Sequence, residues 1–333
     1  MKLTTRYMGL ELAHPVVASA SPLSRTLDGV KRLEDAGAAA IVIYSLFEEQ
    51  IRHEAAAQDH LLDAGSESFG EALSYFPDLD GAEIGPQQYL EHIRRCREAV
   101  SIPVIASLNG ASPEGWTDYA GLIEEAGAHA LELNLYYLPA VLEESGADIE
   151  RRYLQTVHRV RETVSLPLAV KVGPWFSAFG HMALQFERAG ADALVLFNRF
   201  YQPDFDIEKL EVAATLELSR PNEIRQGLFW LSLLHGRIKA SLAATSGVAS
   251  AAEVAKYLLA GADVVMSASA ILRHGPSEVS ALRDGLVRWM DERGYEDVDQ
   301  VRGAMSRGRV ADPEAFERSN YLRVLDSYQS RWG

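Results

Sequence analysis

A chain of 333 residues with 47 acidic and 32 basic side chains has a formal charge of −15. That charge excludes the basic surface that binding to nucleic acid or an anionic membrane requires. Apolar residues make up 47%, enough for a large core, yet no apolar run reaches the roughly 18 residues of a membrane span.

The opening Met1-Lys2-Leu3-Thr4 carries no apolar leader segment, so a soluble cytoplasmic protein is expected. Cys96, the one cysteine, lies in Arg94-Arg95-Cys96-Arg97. Alone it can form no intrachain disulfide and ligate no iron–sulfur cluster. Its arginine neighbours would lower its pKa if it were reactive, but it reads as a bystander thiol.

In chain order, Leu3-Thr4-Thr5-Arg6-Tyr7-Met8 and Leu10-Glu11-Leu12 flank Gly9 and predict a hairpin within 1–14, placed as a plug under whatever follows. Val16-Val17-Ala18-Ser19 reads as a first strand. A recurrent phrase then sets the architecture. Ala36-Gly37-Ala38 leads into Ala39-Ala40-Ile41-Val42-Ile43-Tyr44-Ser45, and Ala126-Gly127-Ala128 into His129-Ala130-Leu131-Glu132-Leu133-Asn134. Ala189-Gly190-Ala191 leads into Asp192-Ala193-Leu194-Val195-Leu196-Phe197-Asn198, and Ala260-Gly261-Ala262 into Asp263-Val264-Val265-Met266-Ser267. Each glycine suits the turn after a helix, and each short apolar run suits a strand covered on both faces.

Two more strands enter through proline: Val104-Ile105-Ala106-Ser107-Leu108 after Pro103, and Leu168-Ala169-Val170-Lys171-Val172 after Pro167. Proline is tolerated where a strand starts. Ile238-Lys239-Ala240-Ser241-Leu242-Ala243 completes a set of eight. Helices are predicted between them at Tyr89–Val100, Trp116–Ala126, Ile149–Thr163, His181–Ala189 and Ala251–Leu259.

Alternation of this kind implies parallel strands with right-handed crossovers, and eight units favour a closed (β/α)8 TIM barrel, a fold that takes about 250 residues. One α/β barrel domain over 15–294 with a helical tail over 295–333 uses the whole chain. The tail is placed on the barrel wall or at a subunit contact, as in a homodimer. No G-x-G-x-x-G follows the first strand, against a dinucleotide-binding domain. The long connections 47–85 and 199–227 carry Phe69, Tyr75, Phe76, Phe200, Tyr201 and Phe205 and are expected to line a site.

The active site of such a barrel lies at the C-terminal ends of its strands. Those ends hold Ser19–Ser21, Tyr44, Ser45, Asn109, Asn134, Lys171, Asn198, Thr245–Gly247, Ala268 and Ser269. Any one Ser or Thr there serves as readily to cap a helix. Asn134, Lys171 and Asn198 end consecutive strands and converge on one mouth. Lys171, inside an apolar strand, needs an anion: a ligand or a buried carboxylate. Thr245-Ser246-Gly247-Val248 and Ser267-Ala268-Ser269, after strands seven and eight, suit a phosphate.

These residues resemble the dihydroorotate dehydrogenase family, over Pro15 to about Leu272. Ser19-Ala20-Ser21 stands where that family has a flavin contact. Leu131-Glu132-Leu133-Asn134-Leu135 is similar to its L-E-x-N-x strand, with Asn134 on an asparagine that touches flavin and substrate. Lys171 falls on the lysine beside flavin N1 and O2, Asn198 on the asparagine after strand six, and the two small-residue segments on its phosphate loops, with Ser246 and Ala268 replacing glycines.

The resemblance implies FMN held by Ser19, Ala20, Ser45, Asn109, Asn134, Lys171, Asn198, Thr245, Ser246, Gly247, Ala268 and Ser269. It implies a small planar substrate such as dihydroorotate, facing Asn134, Asn198 and Tyr44, and a place in pyrimidine biosynthesis. It fails at two points. Tyr136-Tyr137-Leu138-Pro139 replaces Ser-Cys-Pro-Asn, so the family's base is absent and Tyr137 stands there, and Tyr44-Ser45 replaces a Lys-Ser pair. Flavin binding is expected to persist and dihydroorotate turnover to be poor.

Tyrosine, with an ordinary pKa near 10, serves better as an acid than as a base. Reduction of an activated C=C bond, with Tyr137 giving the proton, is the expected chemistry; packing of a lid is the other role open to Tyr136 and Tyr137. A flavin- or phosphate-binding barrel without turnover, and an aldolase-type barrel with Lys171 as Schiff-base nucleophile, remain alternatives.

Overall fold

The glycines of the repeated phrase are the joints of the fold. Gly37, Gly127, Gly190 and Gly261 all adopt φ between 84 and 120°, the conformation in which glycine carries no steric cost, and each turns a helix into a strand. The computed structural model describes residues 1–51, 85–110, 116–199, 202–213, 217–316 and 318–327.

The strands are β1 (Thr5–Tyr7), β2 (Leu10–Leu12), β3 (Val16–Ala18), β4 (Ile41–Val42), β5 (Leu46–Phe47), β6 (Val104–Gly110), β7 (Ala130–Leu135), β8 (Leu168–Val172), β9 (Ala193–Leu196), β10 (Asp204–Asp206), β11 (Glu211–Ala213), β12 (Ser241–Ala244) and β13 (Val264–Ser267). Eight of them close a parallel barrel in the order β3, β4, β6, β7, β8, β9, β12, β13 and back to β3. Helices such as Gly146–Thr163 and Ala251–Ala260 surround it. The expected (β/α)8 barrel is thus present, with all eight predicted strands. Among the described residues no helix is long and apolar enough to cross a membrane.

Period-2 alternation splits each strand into an outward and an inward face. On β7, Leu131, Leu133 and Leu135 pack outward under the helices, while Ala130 lies in the separate inner cluster. Glu132 and Asn134 share the face of Ala130, and Lys171 shares that of Ala169 on β8. The inner lining is therefore apolar low in the barrel and polar near its mouth.

Ala130, Ala169, Ala193 and Ala243 are small inner residues, and they pack with Tyr7 and Met8 of the β1–β2 hairpin. Tyr7 is wholly buried, so the hairpin does plug the floor. Thr5 Oγ1 donates to the Asp263 carbonyl at 2.9 Å and the Met8 N–H to Ser241 Oγ at 3.2 Å. Next to it, the Lys2 N–H reaches the Glu296 carbonyl at 2.8 Å and the Val298 N–H reaches the Lys2 carbonyl at 3.0 Å. The tail docks on the barrel wall: the N–H groups of Gly303 and Met305 donate to the Leu258 and Leu259 carbonyls at 2.8 and 2.9 Å.

Two details differ from the expected pattern. The strand expected from Ile238 begins at Ser241, because the Lys239 and Ala240 N–H groups are taken by the Glu187 carboxylate below the barrel. The 199–227 connection contains the β10–β11 hairpin, whose Phe205 is 69% exposed; it projects to solvent and does not line the mouth. Phe69, Tyr75, Phe76, Phe200 and Tyr201 lie outside the described residues.

Candidate active site

Strand register sets the first tier of the site. Asn109 on β6 pairs with Asn134 on β7, which pairs with Lys171 on β8. Three polar side chains thus stand at one level of three neighbouring strands, at the barrel's C-terminal mouth. The Asn198 side-chain amide donates to Asn134 Oδ1, which adds the end of β9 to the group.

Lys171 is 8% exposed, and its Nζ lies 3.5 Å from Glu132 Oε1. Glu132 has no exposed surface, and among the described residues its Oε2 has no hydrogen-bond partner. The Tyr7 hydroxyl below is also buried and unpartnered. Burial first, then the Glu132 and Asp263 charges, push the Tyr7 phenol well above its usual range. The anion that the sequence required of Lys171 is therefore in part a buried carboxylate. Glu132 was missed as a site residue, although its spacing of two from Asn134 puts it on the same face.

The second tier is a cavity of about 140 Å³ lined by Ser19, Ala20, Lys171, Asn198 and the turns after β12 and β13. Those turns contribute Thr245, Ser246 and Gly247, then Ala268 and Ser269. Nine of the expected residues therefore meet in one cavity. Gly247 has φ 70°, and a Cβ there would stand 2.7 Å from Ile224 Cγ2 and 2.9 Å from the Arg220 carbonyl. Ser246 holds φ 71° with a side chain, a conformation that costs a non-glycine roughly 1–2 kcal/mol. Its Oγ donates to the Phe197 carbonyl at 3.0 Å, and the buried Tyr257 hydroxyl donates to the Thr245 and Ser246 carbonyls at 3.1 and 2.9 Å.

Two residues of the 199–227 connection, Ser219 and Arg199, also line this cavity. Ser219 accepts from the Gly247 N–H at 3.1 Å, and its hydroxyl pairs with Ser269 Oγ at 2.9 Å. Arg199 Nε pairs with Glu223 at 2.8 Å.

Other expected residues lie apart from the cavity lining. Ser45 Oγ bonds Ser107 Oγ at 2.8 Å. Tyr44 sits under the Arg25 guanidinium, 3.9 Å from its ring centroid. Tyr137 lines a neighbouring cleft, and its hydroxyl donates to Glu144 Oε2 at 2.6 Å. Glu144 also pairs with Arg152, whose guanidinium lies 4.7 Å from the Tyr137 ring centroid. Cys96 is fully buried, and burial pushes its thiol up to about 11 despite Arg95; it is a bystander.

No family model matches the chain. Curated relatives do. The chain is 25% identical over 309 residues to the dihydroorotate dehydrogenase B (NAD(+)) catalytic subunit of Methanothermobacter thermautotrophicus, covering 90% of this chain and 97% of the relative. It is 29% identical over 213 residues to the protein of that name from Halalkalibacterium halodurans, covering 61% and 68%. It is 21% identical over 338 residues to the NAD-dependent dihydropyrimidine dehydrogenase subunit PreA of Escherichia coli, covering 95% and 80%. In sequence the chain is similar to proteins named for the dihydroorotate dehydrogenase family, and the (β/α)8 barrel is the fold expected from that resemblance.

Proposed function

We propose that this protein is an FMN-dependent oxidoreductase that acts on a CH–CH bond of a small planar molecule. The observation that carries the reading is that Lys171 and the two main-chain turns at Thr245–Val248 and Ser267–Ser269 border one cavity. FMN suits these residues. A phosphate needs close approach of main chain, and Gly247 sits where any Cβ would collide with Ile224 and Arg220. No dinucleotide fingerprint supplies a second nucleotide site, so FMN is favoured over FAD. Ser19, Ala20, Asn198, Ala268 and Ser269 would complete the holding set. The relatives named for dihydroorotate and dihydropyrimidine oxidation support a ring-type substrate.

When bound, FMN supplies hydride transfer; the chain supplies the rest. Lys171 places a fixed cation in the cavity wall, and such a charge is worth on the order of 3 kcal/mol to negative charge that develops beside it in a dry site. The Asn134 and Asn198 amides fix each other's orientation. The Tyr137 proton lies toward Glu144, so giving it to a substrate would require the hydroxyl to turn from that carboxylate. Taking a proton from dihydroorotate would need a base, and a phenol with an ordinary pKa near 10 is a poor one at neutral pH. Reduction of an activated C=C bond is therefore the direction the residues favour.

A barrel that binds flavin without turnover has one observation in its favour, the engagement of Tyr137 by Glu144. A Schiff-base aldolase is disfavoured, because it needs a free amine and the Lys171 nitrogen belongs to an ion pair. The test is direct. Gently purified protein should be yellow and release FMN by mass spectrometry, and candidate substrates should change the oxidation state of that flavin. FAD, or no flavin at all, would overturn the proposal.

A further inference from the structure

Beside the cavity, between the segments that follow β7 and β8, lies a cleft of about 190 Å³. Its walls are mainly rings: Tyr136, Tyr137, Tyr153, Trp175 and Phe176, with Ile149 at its back. Tyr153 and Phe176 meet edge to face, with centroids 5.9 Å apart. Trp175 is 68% exposed. The cleft meets the cavity at Asn198, which lines both. It therefore adjoins the place where the proposed reaction occurs.

Its charge is as informative as its shape. Among the described residues lining it, Glu150 is the one with a charged side chain. The cations around it stand outside its lining: Arg152 pairs with Glu144 and the Tyr137 ring, Arg199 pairs with Glu223, and Arg225 lines a separate pocket that shares Trp175 and Asn198 with the cleft. A carboxylate entering here would lose water, meet no cation among the described residues of the lining and face the Glu150 carboxylate. An uncharged ring would stack against Tyr137, Tyr153 and Phe176, and would cover exposed Trp175.

We propose that this cleft is a substrate subsite that accepts an uncharged aryl group attached to the reacting bond and rejects a carboxylate. The proposal rests on the reading of the neighbouring cavity as the reaction centre. It makes the substrate a neutral, aryl-bearing conjugated carbonyl compound rather than an acidic ring.

The experiment is a binding comparison on the protein as purified, read by calorimetry and by tryptophan fluorescence, neither of which needs turnover. The probes are 4-phenyl-3-buten-2-one, its ring para-carboxylate, 3-penten-2-one and orotate. The neutral aryl enone should bind at least about tenfold tighter than the alkyl enone, for the area of one buried ring, and tighter than both acids. Trp175→Ala should weaken it about tenfold. Glu150→Gln should narrow the gap between the neutral and para-carboxylate probes. Both positions are away from the core, and circular dichroism checks that the variants fold.

Equal binding of the two aryl probes, or tighter binding of orotate, would overturn the proposal. The two readings fail separately. Aryl binding that is sensitive to Trp175→Ala in a protein without flavin would keep the subsite and remove the oxidoreductase. A flavin-loaded protein that ignores the aryl probe would do the reverse.

Discussion

Lys171 Nζ stands 3.5 Å from Glu132 Oε1, and Glu132 has no exposed surface. The two charges therefore depend on each other inside the barrel. Lys171→Met would leave a carboxylate buried without its cation, at a cost on the order of 3–5 kcal/mol. The double variant Glu132→Gln with Lys171→Met should regain much of that loss. Urea denaturation checks both, and a Lys171→Met protein as stable as the parent would refute the coupling.

Gly247→Ala is expected to fail twice. The residue has φ 70°, and its new methyl would press on Ile224 and the Arg220 carbonyl. The left-handed conformation costs about 1–2 kcal/mol and the overpacking about 1–3 kcal/mol. The variant should melt lower and lose bound FMN on gel filtration. Full retention of the cofactor would show that the phosphate sits elsewhere.

Dihydroorotate should bleach the flavin slowly. Losing a positioned general base forfeits roughly a hundredfold to ten-thousandfold in rate. Tyr137 also donates its proton to Glu144. Stopped-flow mixing should show slow reduction that quickens toward alkaline pH and disappears in Tyr137→Phe. Rapid bleaching at neutral pH would mean that another group is the base.

Acid should weaken the fold before most carboxylates titrate. Burial is the main cause that lowers the pKa of His14, His92, His129 and His235 below 6.5. His14 shows why: Nδ1 accepts from the Val16 N–H at 3.2 Å, while Nε2 reaches the Gly37 carbonyl at 2.8 Å. A depressed native pKa gives a contribution that is whole above 6.5 and is lost as pH falls through the native values. Asp263, raised by burial, has the opposite sign: its contribution is whole below its ordinary pKa and is lost as pH rises. Melting temperature should therefore drop from about pH 7 to about pH 5, less steeply in His14→Gln. A flat profile would contradict this.

Cys96 should be inert in the native protein. It is fully buried, with a thiol pushed up to about 11, so the thiolate fraction is small and unreachable. Ellman's reagent should label it only after unfolding; rapid native labelling would contradict the burial.

The barrel was legible because its strands advertise both ends: an Ala-Gly-Ala turn or a proline before, a polar residue after. Lys171, Asn134 and Asn198 were found by that rule, and their meeting follows from strand register. Glu132 was passed over because a carboxylate within an apolar run was read as part of the strand, although period-2 spacing aligned it with Asn134. Ser219 and Glu144 were not legible. Both sit in irregular connections, where no periodicity says which distant group a side chain will meet. The β10–β11 hairpin was hidden for a related reason: it pairs only with itself and faces solvent, so no buried face imposed a pattern on its residues.

The plug in the floor sets a timetable for biosynthesis. Thr5 and Met8 bond to Asp263 and Ser241, and Lys2 bonds to Glu296 and Val298. At about 5–20 residues per second, the ribosome makes those partners roughly a quarter of a minute to a minute after the hairpin. Through that interval the inner cluster around Tyr7 and Met8 lacks Ala243, Val264 and Met266, and loop closure over nearly the whole chain must precede its completion. The bonds that fix the hairpin to β12 and to the tail can therefore form only when nearly the whole chain has been made.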